Sequence, residues 1–598
     1  MTDEGRDTIL DGLAYLYGAE TAEATLPRVL DCVRRHAGQT GAPWRTGWSE
    51  QDALLISYAN QVRQPGETPL RTLADFCRRY LTGLLSGVHL LPFYPSSSDD
   101  GFSVVDYRQV DPACGTWDDI AGLGKCFRLM FDAVVNHVSS QSAWFQAFLR
   151  QEAPFSDYFV TPPAEADLSR VVRPRTSPVL TTFTTAAGER AVWTTFSADQ
   201  VDLNFRNPEV LLEILDLLLH YASRGASFLR LDAVAFLWKQ PGTSSLNLPQ
   251  THALVQLFRA VLDLAAPHVL LVTETNVPHR DNISYFGDGR QEAQLVYNFA
   301  LPPLVLDAIH RQSASTLSRW AATLDTPGEH TTFFNFLASH DGVGLNPARG
   351  LISEERIQTL VDRTLAHGGR VSSRRNPDGS QSPYELNINY FDALSDPHSK
   401  KPTRLAVDRF MAAQAIMLSL RGVPGIYFHS LFGSRGWLEG VRQTGHPRTV
   451  NREKLELQAL ERELQRPESR RAHVFKRFAG LLRARQASPA FHPNASQTVL
   501  DLGDPIFGLV RITRETGEPV VCLHNLSDRR VTCPPVASPG TGSRPTRWTD
   551  LTSPAAPRSL EHPLELAPYQ VAWLRPEQWR TDERSLEWAA LAFDEVIP

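Results

Sequence analysis

Eight short apolar runs punctuate this chain of 598 residues: Leu54–Tyr58, Gly87–Phe93, Leu129–Asn136, Phe228–Val234, Val269–Thr275, Leu295–Phe299, Phe333–Ser339 and Gly425–His429. Stretches of helical period separate most of them. Strands that alternate with helices pair in parallel, because a parallel neighbour is reached only by a crossover. Eight such units predict an α/β fold, a (β/α)8 TIM barrel, whose chemistry sits at the C-terminal ends of its strands. Polar residues gather at those ends here: Asp132 to His137, Arg230 with Asp232, Glu274, and His340 with Asp341.

The fourth run carries the sharpest signal. In Phe228-Leu229-Arg230-Leu231-Asp232-Ala233-Val234 the side chains alternate faces, so Arg230 and Asp232 lie side by side. An arginine beside an aspartate favours the ionised carboxylate, which a carboxylate nucleophile requires. A lone Arg-x-Asp is more often a structural ion pair. The surroundings reverse that preference: Asn207-Pro208 reads as a helix start, Leu211–Tyr221 has helical period, and Gly225 reads as a helix stop, one αβ unit of the barrel.

Outside the barrel, two helical patterns (Ile9–Tyr17 and Thr25–His36) make residues 1–49 an N-terminal helical extension. The barrel takes 50–138 and 205–490, and the Thr-, Pro- and Ala-rich residues 139–204 read as a small domain inserted after the third strand. A second insertion, Gly369–Lys401, precedes the last strand, and both insertions are expected to overhang the barrel mouth. Residues 491–580 alternate at Phe507–Ile512, Val520–Leu523 and Val571–Leu574, with a loop at Pro534–Pro545, and predict an antiparallel β domain ahead of a tail at 581–598.

Composition excludes some classes. Lysine plus arginine (60) nearly balances aspartate plus glutamate (66), so no nucleic-acid or membrane-surface partner is indicated. The six cysteines form no C-x-x-C pair, which argues against a zinc site and a disulfide framework, and no metal or cofactor is expected. The N-terminus lacks a signal-peptide apolar core and no apolar run nears the ~18 residues of a membrane span, so a cytoplasmic enzyme is expected. Two carboxylates on adjacent strands of one mouth, Asp232 and Glu274, suit glycosidic chemistry: one attacks the anomeric carbon and the other protonates the leaving oxygen.

These stretches carry a resemblance. Asp132-Ala133-Val134-Val135-Asn136-His137, Val201-Asp202-Leu203-Asn204, the Arg230–Asp232 run, Val272-Thr273-Glu274 and Phe336-Leu337-Ala338-Ser339-His340-Asp341 resemble, in order and interval over about 210 residues, the motifs of the α-amylase superfamily, glycoside hydrolase family 13. The resemblance implies Asp232 as nucleophile, Glu274 as general acid/base and Asp341 as transition-state stabiliser, with Arg230, His137 and His340 around a glucosyl ring. The stretches Gly87–Phe93, Ser98–Phe102, Val171–Arg175 and Val192–Phe196 are similar to the sucrose-phosphorylase subfamily, whose members transfer glucosyl groups to phosphate. By that likeness Asp99 seals the glucosyl pocket, Phe102 and Phe196 wall it, Arg175 helps hold phosphate, and Tyr384 and Arg448 stand on two acceptor-site loops.

Sucrose-cleaving members carry a histidine and a glutamine where this chain has Asn276 and Glu385, so the resemblance points away from sucrose. The runs Glu274–His279 and Tyr384–Tyr390, with the N-terminal extension, are more similar to the glucosylglycerate phosphorylases of the subfamily. That implies an α-glucoside and inorganic phosphate as partners, glycerate as acceptor, and a surplus of cations (Arg175, His279, Arg448 and Arg452) facing the mouth. The alternatives are a phosphorylase of sucrose, sucrose 6′-phosphate or glucosylglycerol, or a glucosidase or transglucosidase on the same fold. A non-catalytic scaffold would require a lost carboxylate and a membrane segment, and the sequence offers neither.

Overall fold

The computed structural model describes residues 3–39, 47–376, 378–399, 403–536, 547–553 and 556–579; the tail at 581–598 and most of the Pro534–Pro545 loop lie outside them. Eight parallel strands close a barrel in chain order: Leu54–Ser57, Gly87–Leu90, Arg128–Ala133, Ala226–Leu231, Leu270–Thr273, Leu295–Tyr297, Thr332–Asn335 and Val423–Tyr427. The first strand pairs with both the second and the eighth, Leu54 opposite Gly87 and Gly425. All eight apolar runs supply a strand, but each strand stops before its run does. The leftover residues leave the ladder, which frees them to turn over the barrel mouth, and Asp232 and Glu274 are among them.

Local sequence explains the helix that feeds the fourth strand. Pro208–Ser223 starts where the Asn207 side chain accepts the Glu209 N–H, a cap that stabilises by about 1 kcal/mol. It ends at Gly225, whose φ of +94° a residue with a side chain seldom adopts. Val210, Leu211, Ile214, Leu215 and Leu218 form its buried face.

The N-terminal extension is a pair of helices, Asp3–Tyr17 and Ala19–His36, both longer than the patterns that announced them. They pack on the barrel's own outer helices Pro208–Ser223 and Pro249–Ala265. Ile9, Leu13, Ala22 and Val29 are fully buried there, and each of the three larger chains so covered contributes on the order of 1.5–3 kcal/mol. The Tyr17 hydroxyl donates to the Phe205 carbonyl at 2.8 Å, which ties the pair to the start of the fourth barrel unit.

Two insertions shape the mouth. In the first, a hairpin of Leu180–Thr185 and Gly188–Trp193 precedes a return strand, Gln200–Asp202, which pairs antiparallel with His137–Ser139. In the second, Arg370–Arg375 and Gln381–Asn387 form a hairpin that takes Val343–Gly344 as a third strand. The C-terminal sheet has five antiparallel strands. Its members Ser496–Leu500 and Trp548–Asp550, short strands at the two edges, were not marked by alternation. No helix among the described residues is long and apolar enough to cross a membrane.

Candidate active site

Arg230, the last but one residue of the fourth strand, is opposite Asp132 of the third in register. Its Nη1 donates to the Asp232 carboxylate at 2.8 Å and also to the Asp132 carboxylate. Asp132 in turn meets His89 Nε2 at 2.6 Å. Asp132 was expected at the mouth with the other strand-end groups; it is instead fully buried beneath it, where it shares the arginine. Just above, Ala233 is left-handed at φ +51°, and its N–H donates to Glu274 Oε2 at 3.0 Å. The strained turn after Asp232 thus fixes the acid/base candidate on the neighbouring strand.

Asp232, Glu274 and Asp341 line one cavity, of about 690 Å³ counted out into the solvent at its opening. Asp99, Phe102, His137, Phe196 and His340 line the same cavity, as do Arg175, Asn276, Tyr384, Glu385 and Arg448. Arg230 does not line the cavity; it lies under the wall and acts through Asp232. Phe102 stacks on His340 with ring centres 4.7 Å apart and planes 6° from parallel. Phe196 packs against His137 at 5.3 Å. Phe102 and Phe196 thus give the cavity two aromatic faces, the kind of surface on which a pyranose ring packs.

The charges are arranged unequally. Burial raises the Asp232 carboxyl well above the usual carboxylate range; Arg230 pulls it back, and Glu274 and Asp132 push it up again. The expectation that the arginine beside it keeps Asp232 ionised therefore needs correction: Arg230 does lower the Asp232 pKa, but burial outweighs it and Asp132 takes part of that arginine. Burial also raises Glu274. Burial opposes ionisation of Asp341 too, but Arg448, His340 and Arg452 together outweigh it and hold its pKa well below the ordinary value. Burial lowers His340 to about 3, so it faces the cavity as neutral imidazole.

The four expected cations separate into different roles. His279 does not face the mouth: it packs on Trp320 and Phe333, and burial lowers its pKa to about 4. Arg452 lies below the cavity, donating to Asp99 at 3.1 Å, Asp341 at 3.3 Å and the His340 carbonyl at 3.0 Å. Arg448 reaches the wall but is gripped by Glu385 at 2.7 and 3.0 Å and by Asp341 at 2.7 Å. Arg175 sits over the Phe196 ring at 5.7 Å, and among the described residues no carboxylate reaches ion-pair distance of it.

The acceptor side depends on close backbone approach. Gly344 pairs opposite Glu385, and a Cβ on it would fall 2.7 Å from the Asn276 amide. The Asn276 Oδ1 is buried with no hydrogen-bond partner, an acceptor waiting for a donor. Gln200, Phe236 and Phe299 also line the cavity and had not been singled out. Gln200 directly precedes the Val201–Asn204 motif and Phe236 follows Val234 by two residues, so position could have marked them; Phe299 carried no charge or motif. Among the described residues one Cys/His/Asp group is compact enough for a metal, Cys32 with His36 and Asp216, far from these walls in the outer helices; Arg35 and Arg108 already bind its carboxylate at 3.1 and 3.0 Å.

Comparison with known proteins agrees with this geometry. Residues 79–357 match the α-amylase catalytic domain. The chain is 52% identical to a glucosylglycerate phosphorylase of Allomeiothermus silvanus, over 88% of this chain and 94% of that one. It is 30% identical to a sucrose phosphorylase of Agrobacterium vitis over 75% and 90% of the two chains. The crystal structure of a sucrose 6F-phosphate phosphorylase from Thermoanaerobacter thermosaccharolyticum superposes with a TM-score of 0.69 at 26% identity, covering 80% of this chain and 94% of that one. The chain is an enzyme of the α-amylase family, a glycoside phosphorylase. Within that family it belongs with the glucosylglycerate phosphorylases of the sucrose-phosphorylase branch.

Proposed function

We propose that the enzyme interconverts 2-O-α-D-glucosylglycerate plus phosphate with α-D-glucose 1-phosphate plus D-glycerate, with retention at the anomeric carbon. Asp232 attacks that carbon, the bond to the glycerate oxygen breaks, and Glu274 delivers a proton to the departing oxygen. Phosphate then attacks the glucosyl ester, its proton returns to Glu274, and the Asp232 carboxylate is regenerated. The carrying observation is that Asp232 and Glu274 line one cavity in unlike surroundings, Asp232 against a guanidinium and Glu274 against a single backbone N–H. Burial raises both carboxyls, Asp232 the more strongly; we assign the shared proton to Glu274 because Arg230 hydrogen-bonds directly to Asp232 and acts on Glu274 only through its field. Asp341, held ionised, stabilises the positive charge that develops on the ring.

Arg175 is the anion partner in both half-reactions, since glycerate's carboxylate leaves as phosphate arrives. Arginine suits that exchange because its planar fork meets either anion with two parallel hydrogen bonds. The six free cysteines are compatible with a reducing cytoplasm. The test is phosphate release from α-D-glucose 1-phosphate with D-glycerate, glycerol and fructose in parallel. Release fastest with D-glycerate is the expected result; a preference for fructose would return the enzyme to sucrose chemistry, and release without any acceptor would make it a hydrolase.

A further inference from the structure

One buried cation plays no part in the chemistry above. Lys239 stands seven residues beyond Asp232, its side chain only 2% exposed, and does not line the cavity. Its Nζ donates to Asn136 Oδ1 at 2.6 Å and lies 2.8 Å from Asp202 Oδ2. Those two acceptors belong to different segments: Asn136 follows the third barrel strand, and Asp202 ends the return strand of the inserted domain. Asp202 also accepts the Thr195 N–H at 2.9 Å and the Thr195 hydroxyl at 2.5 Å. Asn136 further donates to Asp202 at 3.3 Å.

Each segment so joined carries a wall residue next to the joint. His137 follows Asn136, Phe196 follows Thr195, and Phe236 precedes Lys239 by three positions. His137 and Phe196 pack on each other, as do Phe196 and Phe236, at 5.3 and 5.5 Å. Backbone pairing of His137 with Asp202 sets the register of the insertion, and the ammonium adds the Lys239 segment to that pair, reaching Asn136 and Asp202 directly and Thr195 through Asp202. An uncompensated carboxylate at this depth is strongly unfavourable, so the joint closes only with a cation in it.

We propose that Lys239 is a positioning residue: its buried ammonium, held between Asn136 and Asp202, sets the inserted domain on the barrel so that His137, Phe196 and Phe236 form one wall of the glucosyl site. The inference rests on the reading of this cavity as the glucosyl site, and its test therefore has one arm that does not depend on turnover. Hydrogen exchange by mass spectrometry on Lys239→Met should show faster exchange in segments 136–139 and 194–204, with the barrel strands unchanged. Phosphorolysis by the same variant should lose roughly 10²-fold in kcat/KM, the scale expected when reacting groups shift by about an ångström. Lys239→Ala should recover activity with added ethylammonium, which restores a cation of the right shape.

Where removal of the lysine alone prevents folding, Lys239→Met combined with Asp202→Asn removes both charges together and leaves no bare carboxylate. That double variant should fold and still show the faster exchange. Wild-type exchange in both segments of a folded variant overturns the proposal, and so does a folded Lys239→Ala indifferent to ethylammonium. Failure of the wild-type enzyme to release phosphate would instead overturn the glucosyl reading, while the exchange arm still decides the role of Lys239.

Discussion

At the floor of the cavity, Asp132, Arg230 and Asp232 come from two adjacent strands whose register is set by a main-chain ladder. At its rim, Arg175, Asn276, Glu385 and Arg448 come from four separate segments held to one another by side chains, or by one short hairpin. The charges of the floor are paired at short range. The rim pairs Arg448 with Glu385 and Asp341 and leaves Arg175 for a ligand. The difference assigns bond-making to the floor and the choice of partner to the rim. Changes to the floor should therefore abolish turnover with every substrate, whereas changes to the rim should redistribute turnover among acceptors.

The largest effect is expected at the floor. Asp232→Asn removes the carboxylate that forms the ester, and turnover should fall by roughly 10⁴ or more with glycerate, water and phosphate alike. Pre-steady-state phosphate release from glucose 1-phosphate measures it. A loss confined to one acceptor would erase the division between floor and rim.

Next in size is selectivity at the rim. A site whose cation expects a carboxylate should prefer D-glycerate over glycerol by about 10² or more in kcat/KM, because the uncharged analogue leaves that cation unpaired. Arg175→Ala should reduce this preference. The same change should raise the phosphate concentration needed for half-maximal phosphorolysis by roughly ten- to a hundredfold and increase hydrolysis relative to phosphorolysis, in line with ~1.5–3 kcal/mol for a charged hydrogen-bonded contact. Equal phosphate dependence in the variant would remove Arg175 from the anion's path and leave Arg448 as the cation there.

The same division governs what the sequence could disclose. Arg230 and Asp232 are two residues apart on one strand, so period alone put them side by side, and the observed bond is 2.8 Å. The eight strands were legible for the same reason, since each is a local run of buried apolar residues. The competition of Asp132 for Arg230 was not legible, because it depends on the register between strands almost a hundred residues apart in the chain. Arg452 and His279 read as mouth-facing cations because charge marks a residue but not its partner; one is bound by Asp99 and Asp341, the other packs between rings. Phe299 and Lys239 stand in stretches whose local pattern is ordinary, and only the assembled fold gives them a wall or a joint to serve.

The smallest expected effect sharpens the floor itself, and it is read in a pH profile more than in a loss of rate. Burial raises Asp232, and an ionised Glu274 would raise it further. With the shared proton on Glu274, however, Asp232 ionises beside a neutral neighbour, and Glu274→Gln keeps that neighbour neutral at every pH. Ordinary glucosides cannot report this, because their departing oxygen needs the proton of Glu274. α-D-Glucosyl fluoride leaves without one, so formation of the Asp232 ester on it depends on the ionised Asp232 alone. That rate is lost as pH drops through the pKa of Asp232. In Glu274→Gln the acid limb should therefore stay where the wild-type enzyme has it, and the alkaline limb that reports loss of the Glu274 proton with glucosides should be absent. An acid limb that moves to lower pH in the variant would mean that Glu274 ionises first in the wild-type enzyme and holds Asp232 up by its charge, which would reverse the assignment of the shared proton.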